Sequence, residues 1–217
     1  MRLSFIYLLV IVIGCISCSP KIANLSSEDI GVKNFDLAQS KLINAGTTDQ
    51  PMRILQINVP ADSILLRKKS SQVIPDLNDK SLQLMTERLL TTVRDSMSLG
   101  VGIAAPQVGI LKNIIWVQRF DKPEFPFEVY LNPIIKQYST KKQPCMEGCL
   151  SIPDKRAETQ NRAYAILLEY DKMDGTHIIE MVEDFTAVIF QHEIDHLHGI
   201  MFTDHLQQEI EKAQNQK

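Results

Sequence analysis

Apolar positions recur every three or four residues in two parts of the chain, which predicts two amphipathic helices. The first apolar stripe consists of Leu82, Met85, Leu89 and Val93. Asn78 or Asp79 precedes this stripe and is the predicted helix cap, and the pattern ends before Gly100.

The second stripe lies near the C-terminus. It consists of Phe185, Val188, Ile189, His192 and His196. Asp184 is its predicted cap, and Gly199 is a predicted helix stop. Because the two histidines continue the apolar stripe, both side chains are expected to point inward.

Short runs of branched and aromatic residues predict strands before and between these helices. The runs are residues 54–59, 113–117, 128–132, 165–170 and 177–182. The sequence KMDG at residues 172–175 predicts a hairpin turn between the last two. Strands flanked by helices, without regular βαβ alternation, predict an α+β domain built mainly of antiparallel sheets.

The N-terminal segment has a different composition from the rest of the chain. Arg2 precedes an apolar run that ends at Gly14 and is followed by Cys15. This run is shorter than the roughly 20 residues that span a bilayer, and its length suits an export signal. The sequence VIGC resembles a bacterial lipobox, in which Cys15 is lipidated; Cys18 is a second candidate, and an uncleaved anchor remains open.

These features divide the chain into an export signal at residues 1–18, a polar tether at 19–51, a folded domain at 52–208 and a polar tail at 209–217. The chain is therefore expected in the bacterial cell envelope as a membrane-anchored lipoprotein rather than in the cytoplasm. A net charge of −3, from 23 basic and 26 acidic residues, gives no electrostatic reason to expect nucleic-acid binding. The pattern carries no indication of the oligomeric state.

The stretch QHEIDH contains the most specific chemistry. His192 and His196 are one helical turn apart and are able to bind a single ion, with Glu193 beside them as a general base. A polar surface turn and a buried structural histidine pair are the alternatives. The shared apolar stripe weakens the first of these, and the second remains open.

A catalytic zinc-like site usually has three protein ligands and one open position. Patterns that supply the third ligand in zinc endopeptidases are absent, since Phe202 stands where one of them requires histidine. Cys149 is an upstream candidate for a thiolate ligand. Taken alone, Cys149 fits a small buried apolar residue better than a ligand, and Cys145 adds the possibility of a disulfide.

Three motifs together resemble peptide deformylase: GVGIAAPQVG at residues 100–109, EGCLS at 147–151 and QHEIDH at 191–196. The resemblance extends from about residue 54 to residue 204 and implies antiparallel sheets packed around a C-terminal metal-binding helix. It also implies a hydrolase that removes the formyl group from N-formylmethionyl peptides. The alternatives are a catalytically inactive, envelope-tethered peptide-binding relative and a deacylase of other N-acyl peptides.

The resemblance, taken with the chemistry of the residues, assigns the metal ligands to Cys149, His192 and His196. Bound to such a site, water loses a proton at neutral pH, and Glu193 is placed to accept that proton and pass it to the leaving amine. The family pattern names the Gln107 side chain as a donor to the oxyanion.

By the same pattern, the backbone N–H of Leu150 is the second oxyanion donor. The residues implied to contact the peptide are Val101, Gly102 and Gly148. One thiolate and two imidazoles suit Fe²⁺ or Zn²⁺, with Ni²⁺ or Co²⁺ also possible. The family usually has an apolar residue after the cysteine motif, shortly before the arginine, whereas this chain has Glu158 and Thr159 in that region, which are expected to change the pocket for methionine. Arg162 is either structural or peptide-facing.

Overall fold

The computed structural model describes residues 34–95 and 100–215, and the residues from Asn34 onward form one compact unit. Its helices are α1 (Leu37–Ile43), α2 (Pro60–Leu66), α3 (Lys80–Arg94), α4 (Asp184–Leu197) and α5 (Phe202–Asn215). Its strands are β1 (Gly102–Ala104), β2 (Ile114–Gln118), β3 (Phe127–Tyr138), β4 (Lys142–Cys149), β5 (Ile152–Ala163), β6 (Ala165–Asp171) and β7 (His177–Glu183). A short 3₁₀ helix, Ala105–Val108, follows β1. The predicted export signal and the first part of the predicted tether lie outside the described residues.

The strands form two antiparallel sheets. Five strands pair in the order β1-β2-β3-β6-β7, and β4 pairs with β5 in a separate two-stranded ribbon, hereafter the β4–β5 ribbon. The predicted α+β class with mainly antiparallel sheets is therefore confirmed. In the large sheet β1 is an edge strand that pairs only with β2, so its other edge faces the cleft described below.

The two amphipathic helices occur where the periodicity predicts them. In α3 the stripe of Leu82, Met85, Leu89 and Val93 is fully buried. Asp79 caps this helix, because its side chain accepts hydrogen bonds from the backbone N–H groups of Ser81 and Leu82.

Helix α4 departs from the prediction at its first residue. Asp184 has φ 56° and is the first helical residue, and no side-chain hydrogen bond caps the helix at Glu183. An N-cap requires an extended backbone, which this left-handed conformation does not provide, so the predicted Asp184 cap is wrong. Gly199, with φ 73°, lies just beyond the helix end, as predicted.

Four of the five predicted strands are present. The exception is residues 54–59, which belong to neither sheet and form a turn at residues 57–59. Leu55 N–H donates to the carbonyl of Gln107 (2.8 Å), and Ile57 N–H donates to that of Ser151 (2.9 Å). These two backbone N–H groups therefore bond to two separate segments of the chain, and the residues form no regular strand pairing despite their strand-like composition. The predicted hairpin turn is confirmed, with Gly175 at φ 81°.

The predicted boundaries of the folded domain are too narrow at both ends. Residues 34–51 belong to the compact unit, and Phe35 and Ile43 are buried in its apolar core. Arg88 of α3 donates to the carbonyls of Leu42 and Ile43, which end α1. Residues 209–215 complete α5, so this part of the predicted polar tail is helical.

Within residues 34–95 and 100–215, none of the helices is both long enough and apolar enough to cross a membrane.

Candidate metal centre

Helix α4 brings three ionisable side chains of the QHEIDH stretch into the interior. Glu193 and His196 are buried, and the His192 side chain is only 11% exposed. The imidazole rings lie on successive turns with their centroids 5.0 Å apart. Both rings therefore face one region, which excludes the surface-turn interpretation.

The end of the β4–β5 ribbon places Cys149 beside these rings. One ligand atom from each of Cys149, His192 and His196 lies within 4.8 Å of the others. Cys149 Sγ is 3.2 Å from His196 Nε2. Cys149 and Cys145 are both free thiols, so they form no disulfide with each other.

The electrostatics of the cluster favour the ligand form of the cysteine. Burial opposes ionisation of Cys149, but His196 and His192 outweigh burial and hold the pKa of this thiol well below its ordinary value. A thiolate with two imidazoles is a donor set that suits Zn²⁺, Fe²⁺ and related ions. The residues present therefore fit a single divalent ion.

Glu193 is the buried carboxyl group beside this cluster. Its Oε2 atom is buried and has no hydrogen-bond partner within the described part of the chain. Burial raises the pKa of Glu193 to about 7. A Cβ at Gly102 would lie 2.5 Å from Glu193 Oε1, so glycine is needed here for the carboxyl group to pack against β1.

The Gln107 side chain lies near the Cys149 sulfur, and hydrogen bonds fix its orientation. Its Oε1 accepts from the Ala104 N–H at 2.8 Å, which turns its Nε2 toward the cluster. Nε2 is 3.6 Å from Cys149 Sγ and 3.3 Å from Ser151 Oγ. A side-chain donor therefore points at the space beside the candidate metal ligands.

The sequence motifs did not predict a buried ionic network that contacts the Nδ1 atom of His192. Glu147 Oε2 lies 2.8 Å from His192 Nδ1, and Arg162 pairs with both carboxylate oxygens of Glu147 at 2.8 and 2.9 Å. Burial opposes ionisation of Glu147, but His192 and Arg162 hold its pKa well below the usual range. Arg162 also donates to Asp195 at 2.6 Å, which makes it structural rather than peptide-facing. Glu147 stands two residues before Cys149, and that proximity was the available signal.

A cleft of about 830 Å³ opens onto the cluster. The predicted peptide contacts Val101, Gly102 and Gly148 all line it, and so does Leu150, the predicted oxyanion donor. Glu158 and Thr159 do not line this cleft, and their expected effect on the methionine pocket stays a prediction. Thr159 is instead buried and donates its hydroxyl hydrogen to Glu147.

An α+β fold that sets a cysteine and two histidines beside a buried carboxyl group and an open cleft defines a metal-dependent hydrolase. The family model described as polypeptide deformylase matches residues 51–212. The chain belongs to this family, and the predicted arrangement of antiparallel sheets around a C-terminal helix is the fold of its structural neighbours.

Individual relatives agree with the family match. Peptide deformylase from Finegoldia magna is 35% identical over 170 residues, covering 76% of this chain and 100% of the relative. That from Desulforudis audaxviator is 38% identical over 155 residues, covering 70% of this chain and 94% of the relative. A crystal structure of class I type b peptide deformylase from Acinetobacter baumannii, with Met-Ala-Ser bound, has a TM-score of 0.64 at 32% identity and covers 72% of this chain and 99% of that one.

Proposed function

We propose that this protein is a metal-dependent hydrolase that removes the formyl group from N-formylmethionyl peptides. One observation carries the proposal: the buried Glu193 carboxyl, with an unpaired oxygen, lies beside the cluster of Cys149, His192 and His196 at the end of an open cleft. The relatives named peptide deformylase, one of them with Met-Ala-Ser bound, support this substrate class.

Cys149, His192 and His196 would hold one divalent ion, Fe²⁺ or Zn²⁺, with Ni²⁺ or Co²⁺ as alternatives. Bound there, such an ion supplies Lewis acidity and makes water a nucleophile at neutral pH. Glu147 holds the His192 ring through its Nδ1 atom, and a carboxylate in that position fixes the tautomer and the orientation of a ligating imidazole.

Glu193 is placed to accept a proton from the attacking water and to return it to the leaving amine. A carboxyl group whose pKa is about 7 suits both steps, because it holds and releases a proton near neutral pH. The Gln107 amide and the backbone N–H of Leu150 donate hydrogen bonds to the oxyanion that forms when the formyl carbon becomes tetrahedral.

The peptide chain is proposed to lie along the free edge of β1. Val101 and Gly102 border the cleft on that side and Gly148 on the other, so an extended peptide adds a strand between them. Val188 and Ile189 of α4 line the same cleft and provide an apolar surface for the methionine side chain.

The proposal is tested by measuring formate release from formyl-Met-Ala-Ser together with the metal content of the purified protein. We expect Glu193→Gln to retain its metal and to lose turnover by at least 100-fold, the lower end of what a positioned general base contributes. Glu87→Gln, a matched change at an exposed position of α3, is expected to keep wild-type turnover.

Metal-loaded wild-type protein that releases no formate would contradict the proposal. Release of acetate from the acetyl peptide in its place would assign a deacylase of other N-acyl peptides. Peptide binding without any hydrolysis would assign the inactive peptide-binding relative.

We also propose export of the chain to the cell envelope, which rests on the sequence from Arg2 to Cys15 alone. Fractionation of the native cells and labelling with a radioactive fatty acid test it. Label that is lost in Cys15→Ala and kept in Cys18→Ala supports lipidation at Cys15. Unlabelled protein in the cytoplasmic fraction contradicts export.

A further inference from the structure

The β4–β5 ribbon contains a bulge close to the candidate metal centre. Gln143 pairs with Arg162, and Cys145 pairs with Thr159. Between these pairs β4 contributes only Pro144, whereas β5 contributes the two residues at 160 and 161. Proline has no backbone N–H, so the ladder is interrupted at this point on both strands.

A carboxylate from the C-terminal helix α5 binds the backbone of this bulge. The N–H of Gln160 lies 3.0 Å from both carboxylate oxygens of Glu209, and the N–H of Asn161 lies 3.0 Å from one of them. Consecutive N–H groups of a regular strand point to opposite edges. Their convergence on one carboxylate shows that Glu209 binds the irregular conformation of the bulge.

The residues on either side of the bulge hold Glu147. Thr159 and Arg162 both donate hydrogen bonds to the Glu147 carboxylate, which in turn binds His192 Nδ1. Because the bulge sets the spacing between Thr159 and Arg162, its conformation determines whether both donors reach Glu147 together.

A second side chain of α5, His205, contacts the Glu147–Arg162 network through Asp195. His205 Nε2 lies 2.8 Å from Asp195 Oδ2, and that oxygen also accepts from Arg162. His205 and Glu209 are four residues apart and therefore lie on one face of α5. Phe202 is the one buried residue among the fourteen of this helix, so polar contacts account for much of its attachment.

We propose that Glu209 is a positioning residue for the metal centre. It fixes the β5 bulge, the bulge aligns Thr159 and Arg162 on Glu147, and Glu147 orients His192. This inference rests on the proposed metal site, and it makes α5 part of the machinery that holds the ion. Glu209 itself contacts neither the ligands nor the peptide cleft.

The test measures Co²⁺ affinity by competition with a chelator and records the thiolate–cobalt absorption of the full-length protein. We expect Glu209→Ala to weaken Co²⁺ binding by about 10-fold, the low end of the range for partners outside the ligand shell. Glu209→Gln keeps a carbonyl acceptor and is expected to restore most of the affinity. Glu211→Ala is the matched control, since among residues 34–95 and 100–215 that carboxylate accepts a hydrogen bond only from the exposed Gln207 side chain.

Hydrogen exchange of the wild-type protein tests the contact itself. Gln160 and Asn161 are exposed residues, and yet the proposal predicts that their amides exchange slowly. Unprotected exchange at both amides overturns the proposal even when Glu209→Ala does not fold. Wild-type Co²⁺ affinity and absorption in Glu209→Ala also overturn it, whatever happens to the melting temperature. Failure of the wild-type protein to bind Co²⁺ overturns the proposed metal site as well.

Discussion

Helix α4 and the β4–β5 ribbon meet at the candidate metal centre, and different forces hold the ligands that each provides. In α4, His192 and His196 share a helix with Ala187 and Phe190, which are fully buried in the core. Apolar packing therefore fixes the helical half. In the ribbon, the buried residues nearest Cys149 include Glu147, which is held by charge and hydrogen bonds.

Side-chain hydrogen bonds join the two halves, among them those of Gln191. Gln191 of α4 accepts a hydrogen bond from the Ala163 N–H and donates one to the Ala163 carbonyl, both at 2.9 Å. The Gln191 side-chain amide thus satisfies both backbone groups of Ala163 at the end of β5. The comparison shows that a rigid apolar helix provides two ligands, while a polar ribbon must be tied to it by specific bonds.

The largest effect is expected from breaking the ribbon half. Arg162→Met leaves the Glu147 carboxylate buried without its cation, and removing one partner of such a pair costs about 3–5 kcal/mol. The free energy of unfolding is measured by urea denaturation, together with Co²⁺ affinity. Adding Glu147→Leu is expected to recover much of the stability, because apolar replacements of buried ion pairs are often neutral, while Co²⁺ affinity stays low. Recovery of both would show that the network stabilises the fold without orienting His192.

A smaller loss of stability is expected from removing the hydrogen bonds between Gln191 of α4 and Ala163 of β5. Gln191→Leu leaves the backbone N–H and carbonyl of Ala163 buried without these partners, which costs about 1–3 kcal/mol. Urea denaturation measures the change in the free energy of unfolding. Unchanged stability would mean that the remaining contacts between α4 and β5, among them the Arg162–Asp195 pair, are sufficient to hold the two together.

Gly102→Ala separates catalysis from stability. The added methyl group would meet Glu193 Oε1 at 2.5 Å and displace the carboxyl group from the cluster. A misplacement of about 1 Å is expected to lower kcat on the order of 100-fold. Metal content and melting temperature serve as controls, and a variant with wild-type kcat would show that the position of Glu193 is not critical.

The smallest loss of stability is expected from breaking an arginine–carboxylate pair at the surface. Arg67 pairs with Asp204, and their side chains are 41% and 33% exposed. Arg67→Ala is therefore expected to cost about 0.2–1 kcal/mol, as is usual for exposed pairs. Urea denaturation of both variants, Arg67→Ala and Arg162→Met, measures the two losses in free energy of unfolding under the same conditions. An equal loss in the two variants would contradict the view that burial gives the ribbon network its strength.

The same difference explains how far the sequence predicts this molecule. Apolar periodicity located α3 and α4, because each helix packs its buried apolar residues into a core cluster. Three short motifs then placed Cys149, Gln107 and Glu193 in one candidate site, and the structure brings them together. That grouping came from a family resemblance rather than from periodicity, since the residues lie far apart along the chain.

The ribbon and its supports could not be predicted in this way. The partners of Glu147 lie 12, 15 and 45 residues further along the chain, and no local pattern marks a long-range ion pair. The last part of α5, residues 209–215, was assigned to a tail because its side chains are mostly polar. Residues 34–51 were assigned to a tether for a similar reason, although Phe35 and Ile43 reach the core.

X-ray absorption spectroscopy at the edge of the bound metal tests the central claim most directly, on protein purified without added chelator. If one thiolate and two imidazoles bind a zinc ion, the spectrum will show one sulfur at about 2.3 Å and nitrogen ligands at about 2.0–2.1 Å. The sulfur contribution will disappear in Cys149→Ser. A wild-type spectrum without a sulfur ligand, or one that Cys149→Ser leaves unchanged, would contradict the account.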